Sequence, residues 1–369
     1  MNKIKLFSRL SILLLCLALC GCGSAAREQP DAIQLWYVEG DPAAPAVYAL
    51  LREYNEQLSS RASPVQLRIL PSEESLAGLQ PGALPDLLLC SQAAACRLAE
   101  QGLLQDLSGE LNRAAPDYGA LSRQSEAALG KGCYPLGASV PLLCIRPETV
   151  RAPLKLETVF TQAAVYGQKT GLPYCSADEF APLFAQLLRQ RGAPFHAVEK
   201  LDSENEAYEE VYNLLAMAAF RRGLVSRDVS AARLVQAGQL PCAIVSSSRL
   251  PRLELSACQL LPLPGSQGSE DCPAQLRCLA VTAQDKHALQ DIGAFLRWLL
   301  EEERLRDLAL QSGLVPVHAC AAPEAGPLTT PLWEVSTSRS LFFPDVNPDY
   351  RDNAAEFEAR FRAALERLA

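Results

Sequence analysis

The residues best placed to do chemistry are polar and aromatic groups that follow apolar, strand-like runs. Trp36, Tyr37, Glu39 and Asp41 close one such run, Ser91 and Gln92 a second, and Ser246, Ser247 and Ser248 a third. Tyr134 and Ser139 flank the segment that opens a further strand. In open α/β sheets a ligand sits beyond the carboxyl ends of the strands, near helix N-termini. These positions are therefore where a bound solute is expected. An aromatic face suits the C–H surface of a sugar, and carboxylates and hydroxyls satisfy polar groups that have lost water. Trp36 beside Glu39 and Asp41 offers that combination. Each residue also has a purely structural alternative: Trp36 alternating into a core, Asp41 and Ser91 capping helices, the serines forming a turn. Trp298 sits in a helical apolar stripe and reads as core.

Covalent catalysis is not expected from these groups. No GxSxG elbow, HExxH helix or Walker A loop occurs. Glu39 and Asp41 share one loop, a poor arrangement for two carboxyl groups acting across a bond. Glu73-Glu74 and Glu301-Glu302-Glu303 read as solvated faces. The histidines, His196, His287 and His318, are scattered and no CxxC is present, so neither a metal nor a cofactor is expected. The reading is of a binder, not an enzyme.

The start of the chain directs where it works. Lys3, Lys5 and Arg9 precede an apolar run over 10–19, the order of a secretory signal. The run is shorter than the roughly 20 residues needed to span a bilayer. It ends in Leu19-Cys20-Gly21-Cys22, which resembles the lipobox of bacterial lipoproteins, with Cys22 the lipidated residue because Gly21 precedes it. Two acyl chains on one cysteine give stable anchoring. Residues 1–21 are thus expected to be a removed signal peptide and 22–32 a tether, leaving the protein on the extracytoplasmic face of the cell membrane. Removing three positive charges takes the formal net charge from −8 to −11. That acidity argues against nucleic acid, whose binding is dominated by Lys and Arg. Ten cysteines follow Cys22. Export permits disulfides, and Cys272 with Cys278 is the best local candidate. Cys90, Cys144 and Cys242 lie in apolar runs where a thiol acts as a small hydrophobe. Mostly buried free thiols, with one or two bridges, are expected.

The elements that position these groups alternate strand and helix. Strands are read over 33–38, 64–70, 84–90, 140–146, 240–246 and 277–282. Val47, Leu50, Leu51, Tyr54 and Leu58 share one helical face, and a helix over 91–101 stops at Gly102. Ser203 with Glu206 forms a capping box before a helix that carries Tyr208, Val211, Tyr212, Leu215 and Ala219 inward. Two helices then carry Leu289, Ile292, Leu296 and Leu299, and Leu305 and Leu308. A last one begins near Asn353 and buries Phe357, Phe361 and Leu365. Such alternation predicts mainly parallel sheets with helices on both faces.

Four stretches, taken in order, resemble the extracellular solute-binding proteins of family 1, the maltose-binding-protein-like group serving ATP-binding-cassette importers. They are LWYVEGD, LPDLLLCSQAAACRLAEQGLLQDLSGEL, KGCYPLGASVPLLCIRPE and AFLRWLLEEERLRDLALQSGLVPVH. The resemblance implies a two-lobed periplasmic-binding-protein-like α/β fold of type II, with interleaved chain crossings at a hinge. One lobe would hold 33–137 plus 282–315 and the other 138–281 plus 316–369. It implies a monomer that captures a small polar solute, a sugar first of all, and hands it to permease subunits. It also places Trp333 where family members often present a stacking aromatic. Three Trp is few for a binder of long oligosaccharides. A sensory or accessory lipoprotein of the same fold, feeding no transporter, is the alternative.

Overall fold

The computed structural model describes residues 32–58, 63–76, 79, 81–107, 111, 131–151, 155–193, 206–226, 229–265, 271–283, 285–316 and 323–368. Cys22 and the signal segment, Ser203, His196, His318 and Cys320 lie outside the described residues.

Two five-stranded sheets organise the chain. The first runs in the order β2 (Val65–Leu70), β1 (Ile33–Val38), β3 (Leu87–Ser91), β11 (Gln275–Val281), β4 (Cys133–Ser139). The second runs β7 (Leu224–Val225), β6 (Cys175–Ala177), β8 (Cys242–Ser246), β5 (Pro141–Ile145), β9 (Gln259–Pro262). In each sheet the first three strands are parallel, and the fourth enters antiparallel to both its neighbours. The two exceptional strands, β5 and β11, are those that follow a passage of the chain from one sheet to the other. A short parallel ribbon pairs β10 (Asp271–Pro273) with β12 (Ser340–Phe342).

Apolar sequence explains how deep these strands lie. In β3, Leu88 and Cys90 enter a central core shared by both sheets, while Leu87 and Leu89 enter an outer core of the first sheet. A strand covered on both faces reads as a continuous apolar run, which is what Leu87–Cys90 is. The same holds in β5: Leu142 and Cys144 face the central core, and Leu143 and Ile145 face the outer core of the second sheet. Each fully buried leucine contributes about 1.5–3 kcal/mol. Helices α1 (Ala44–Gln57), α7 (Lys286–Leu299) and α8 (Glu302–Gln311) cover the first sheet. Helices α3 (Leu156–Thr170), α4 (Ala181–Gln190) and α5 (Glu206–Phe220) cover the second, joined by the last helix, α10 (Pro348–Leu368). Helices α2 (Gln92–Glu100), α6 (Ala231–Gln236) and α9 (Thr329–Ser338) contribute to the central core. Gly223 is required where α3 and α5 meet: a Cβ there would overlap the Ala163 carbonyl.

Three expectations need correction. The strand read at 277–282 was assigned to the second lobe, but β11 lies in the first sheet, between β3 and β4. The chain therefore returns to the first sheet between Pro262 and Gln275, not at 282. An apolar run shows that a strand is buried, not which sheet it joins. Cys272 and Cys278 form no bridge; all nine described cysteines are free thiols. The segment between them is strand, not loop: Cys272 lies in β10, and Cys278 faces Cys90 across β11 and β3. The last helix begins at Pro348, five residues before Asn353, because proline is well accepted in a first helical turn.

Candidate binding cleft

The first passage between sheets is made by Ser139-Val140-Pro141, and it places the ends of two sheets side by side. Ser139 is in register with Gln275 of β11, and Pro141 with Ser246 of β8. The carboxyl ends of the parallel strands of both sheets point toward this junction. A cleft opens there, lined by Ser139, Gln275 and Pro273 together with Glu179, Ser246 and Pro344.

One corner of the cleft is a closed set of hydroxyls. The Ser139 and Ser246 Oγ atoms are 2.9 Å apart, and Ser248 Oγ lies 3.1 Å from each. Three hydroxyls in a triangle can each donate once and accept once, so none is left over. Ser247 is fully buried behind them; its Oγ accepts from the Val140 N–H at 3.1 Å. Asp178, just after β6, accepts from the Ala231 and Ser246 N–H groups at 3.0 and 3.1 Å and fastens the second lobe's side of this corner.

A charged cluster lies beside the cleft. Arg277 lies two residues beyond Gln275 and therefore on the same face of β11. Its Nη1 is 3.5 Å from Asp41 Oδ2 and 3.8 Å from Glu73 Oε1. The Asp41 side chain is 1 % exposed, and its Oδ1 accepts from the Ala43 N–H at 2.8 Å, shaping the start of α1. Burial raises the Asp41 pKa, and Arg277 only partly opposes that rise. For Arg277, burial disfavours the charged form, but Asp41 and Glu73 outweigh it and hold the guanidinium above its ordinary value. Glu73 accepts from both the Ser91 N–H (2.8 Å) and the Ser91 hydroxyl (2.6 Å). Across the cleft, Glu179 stands 3.7 Å from Arg249, and burial raises its pKa. Asp345 is 8 % exposed; burial first, then repulsion from Glu179, pushes its carboxyl up to about 6.

The expected site residues divide accordingly. Ser139 and Ser246 line the cleft, with Ser247 supporting them. Asp41 and Ser91 sit beside it through Arg277 and Glu73 and also take the structural roles foreseen, Ser91 Oγ accepting from Ala94 N at 3.3 Å as the cap of α2. Gln92 is fully buried and accepts from the Leu276 N–H at 3.5 Å. Tyr134 is in the outer core of the first sheet, its hydroxyl accepting from the Leu107 N–H. Five residues of strand, about 3.3 Å each, separate it from Ser139. Trp36 is half-buried against the central core with the Arg68 guanidinium 4.8 Å above its ring. Tyr37 packs on the outer core, and Glu39 is exposed. Trp333 is half-buried on α9 and is not among the cleft-lining residues.

Glu179, Gln275, Arg277 and Asp345 were missed, and Glu73 was misread as solvated although its side chain is 22 % exposed. The strand-end rule would have found Glu179 had the three-residue β6 been recognised. An arginine inside the apolar run Leu276–Val281 was a signal for Arg277. Asp345, in a short turn after β12, carried none.

No protein-family model matches the chain, and no curated protein matches it by sequence. Solved structures do match. The maltose-bound T. maritima MalE3 superposes with a TM-score of 0.70 at 14% identity, covering 92% of this chain and 95% of that one. The cyclic alpha-maltosyl-1,6-maltose binding protein from Arthrobacter globiformis gives 0.67 at 17% identity, over 92% and 94%. The spermidine/putrescine ABC transporter substrate-binding protein from Streptococcus pneumoniae gives 0.66 at 14% identity, over 90% and 100%. This chain therefore has the two-lobed α/β fold of these maltose-, oligosaccharide- and polyamine-binding structures.

Proposed function

We propose that the chain is an extracytoplasmic solute-binding lipoprotein of an ABC importer, anchored through Cys22, that captures a small polar solute between its lobes and delivers it to a membrane permease. The observation that carries this reading is the cleft at the junction of the sheets, lined by Ser139 and Gln275 from one and by Ser246 and Glu179 from the other. Chain passages beside the cleft supply the hinge about which two such lobes close on a ligand. The interleaved division, amended so that β11 belongs to the first lobe, is part of this proposal. The fold neighbours include proteins named for maltose and for spermidine and putrescine, so the fold alone does not select the solute. We read the chain as a binder, without turnover. Ser139, Ser246 and Ser248 bond to one another, not to a base that could activate one of them.

The test uses the chain expressed with its own leader. It is expected in the membrane fraction, and a Cys22→Ser form in the soluble extracytoplasmic fraction. The released form is then screened by thermal shift against sugars, amines and other polar nutrients. A ligand that binds only the folded form raises the melting point, by about 2.7 kcal/mol of stability at a hundred times its Kd. Gln275→Trp, which fills the cleft, should remove that shift. A shift that survives Gln275→Trp places the ligand elsewhere and refutes the proposal.

A further inference from the structure

We infer that the ion pair between Arg351 and Glu100 is a latch between the lobes, one that holds them in the described arrangement and must break when they rotate apart. The inference needs only the two-lobed fold and goes beyond the solute-binding reading. Arg351 Nη2 lies 2.9 and 3.1 Å from the two carboxylate oxygens of Glu100. The two residues belong to different lobes. Glu100 ends α2, which follows β3 directly and packs against β3 and β11 of the first sheet. Arg351 lies in the first turn of α10, and α10 is fastened to the second lobe. Tyr350 packs on Ala181 and Ala185 of α4, and Glu358 accepts from the Phe180 and Ala181 N–H groups at 2.7 and 2.9 Å. By contrast, the ion pairs of Arg277 stay within the first lobe, and those of Arg191, Arg249 and Arg362 stay within the second.

Glu100 does not serve its own helix. A carboxylate in the last turn faces the negative end of the helix dipole, an unfavourable position. Its gain comes from the other lobe. The Arg351 side chain is 4 % exposed and that of Glu100 is 54 % exposed. A buried guanidinium that loses its anion is costly, so Glu100 stabilises the arrangement in which Arg351 is buried. A rotation that carries Glu100 away leaves Arg351 to be met by water instead. The energy of the pair therefore belongs to one arrangement of the lobes, and only such a difference shifts a population.

Another contact between the lobes is of a different kind. The Val140 N–H donates to Ser247 Oγ at 3.1 Å, and the Ser247 N–H donates to the Val140 carbonyl at 2.9 Å. Gly313, which follows α8 of the first lobe, has φ 68° and sits against this point. A Cβ on it would lie 2.3 Å from the Ser247 carbonyl oxygen. Backbone contacts that admit no side chain suit a pivot. Two long side chains, one of them half exposed, suit a contact that opens and closes about it.

The experiment is single-molecule energy transfer on the released Cys22→Ser chain without added solute. Dyes are attached through non-canonical residues at positions 52 in α1 and 360 in α10, where Arg52 and Arg360 are 76 % and 70 % exposed. Glu100→Gln should raise the population at distances other than the parent's main one by about tenfold, and Glu100→Lys by more. Salt near 1 M, where the Debye length is about 3 Å, should move the parent toward Glu100→Gln and leave that variant unchanged. Glu148→Lys breaks the Arg146–Glu148 pair inside the second lobe and should leave the distribution as in the parent. A cooperative melt confirms that each variant is folded; should Glu100→Lys fail it, Glu100→Gln and the salt series decide. A distribution unchanged by the Glu100 substitutions, or shifted as far by Glu148→Lys, would overturn the latch. Neither result bears on whether a solute binds.

Discussion

The hydroxyl corner of the cleft and the acidic cluster beside it are built on opposite principles. At the hydroxyl corner every group is satisfied by its neighbours: Ser139, Ser246 and Ser248 bond among themselves, and Ser247 closes onto the backbone of the passage between sheets. In the acidic cluster beside it one oxygen is left over: the buried Asp41 Oδ2 has no hydrogen bond, only the 3.5 Å ion pair to Arg277. Buried polar groups are nearly always hydrogen-bonded, so each exception needs a physical reason. The contrast teaches that the serines, which stood out in the sequence, tie the joint between the sheets, while the acids are gathered around Arg277.

This contrast predicts a graded response to substitution. Arg277→Met should have the largest effect, because it leaves the buried Asp41 and the part-buried Glu73 without their cation. Removing one partner of a buried ion pair costs about 3–5 kcal/mol, and chemical denaturation should show that loss. An unchanged denaturation midpoint would mean that the guanidinium does not hold the acids in place.

Asp345→Asn should act in the opposite direction. Burial pushes its folded-state carboxyl up to about 6, above the ordinary aspartate value of 3.8, so the folded state holds the proton more tightly than the unfolded state does. The ionised carboxylate therefore costs stability fully above pH 6, and that cost disappears as pH falls through 6 toward 4. Glu179, Glu73, Arg277 and Arg351 are the charged groups acting on it. At pH 7 the variant should be more stable than the parent by up to about 3 kcal/mol, and near pH 4 the two should coincide. Denaturation curves at both pH values check this; equal stability at pH 7 would show that the carboxyl already has a partner.

Ser246→Ala should matter least. The Ser139–Ser248 bond at 3.1 Å survives it, so the loss should stay within about 1 kcal/mol. A larger loss would mean that the triangle acts as one unit across the joint.

The fold was largely legible because it is written in local apolar patterns. The run before Ser91, the stripe of Val47, Leu51 and Tyr54 in α1, and the alternation of strand and helix all reflect burial that each element needs wherever it ends up. The site was only half legible. The strand-end rule reached Ser139 and Ser246, but it also selected Trp36, Tyr37 and Glu39, which do not line the cleft. Trp36 pairs in register with Arg68 and packs inward, a fate set by its neighbours on β2 and β3.

Composition and periodicity were enough to establish an alternating α/β chain with double-faced strands and buried thiols, since each rests on contacts within or next to one element. Whether β11 joins the first sheet or the second, whether Cys272 meets Cys278, and which acids come near one another depended on packing between segments far apart in sequence. Asp345 and Glu179 are more than 160 residues apart. Their mutual repulsion exists only because the β12 turn and the end of β6 are brought to one place, and Coulomb interaction depends on distance in space, not on distance along the chain.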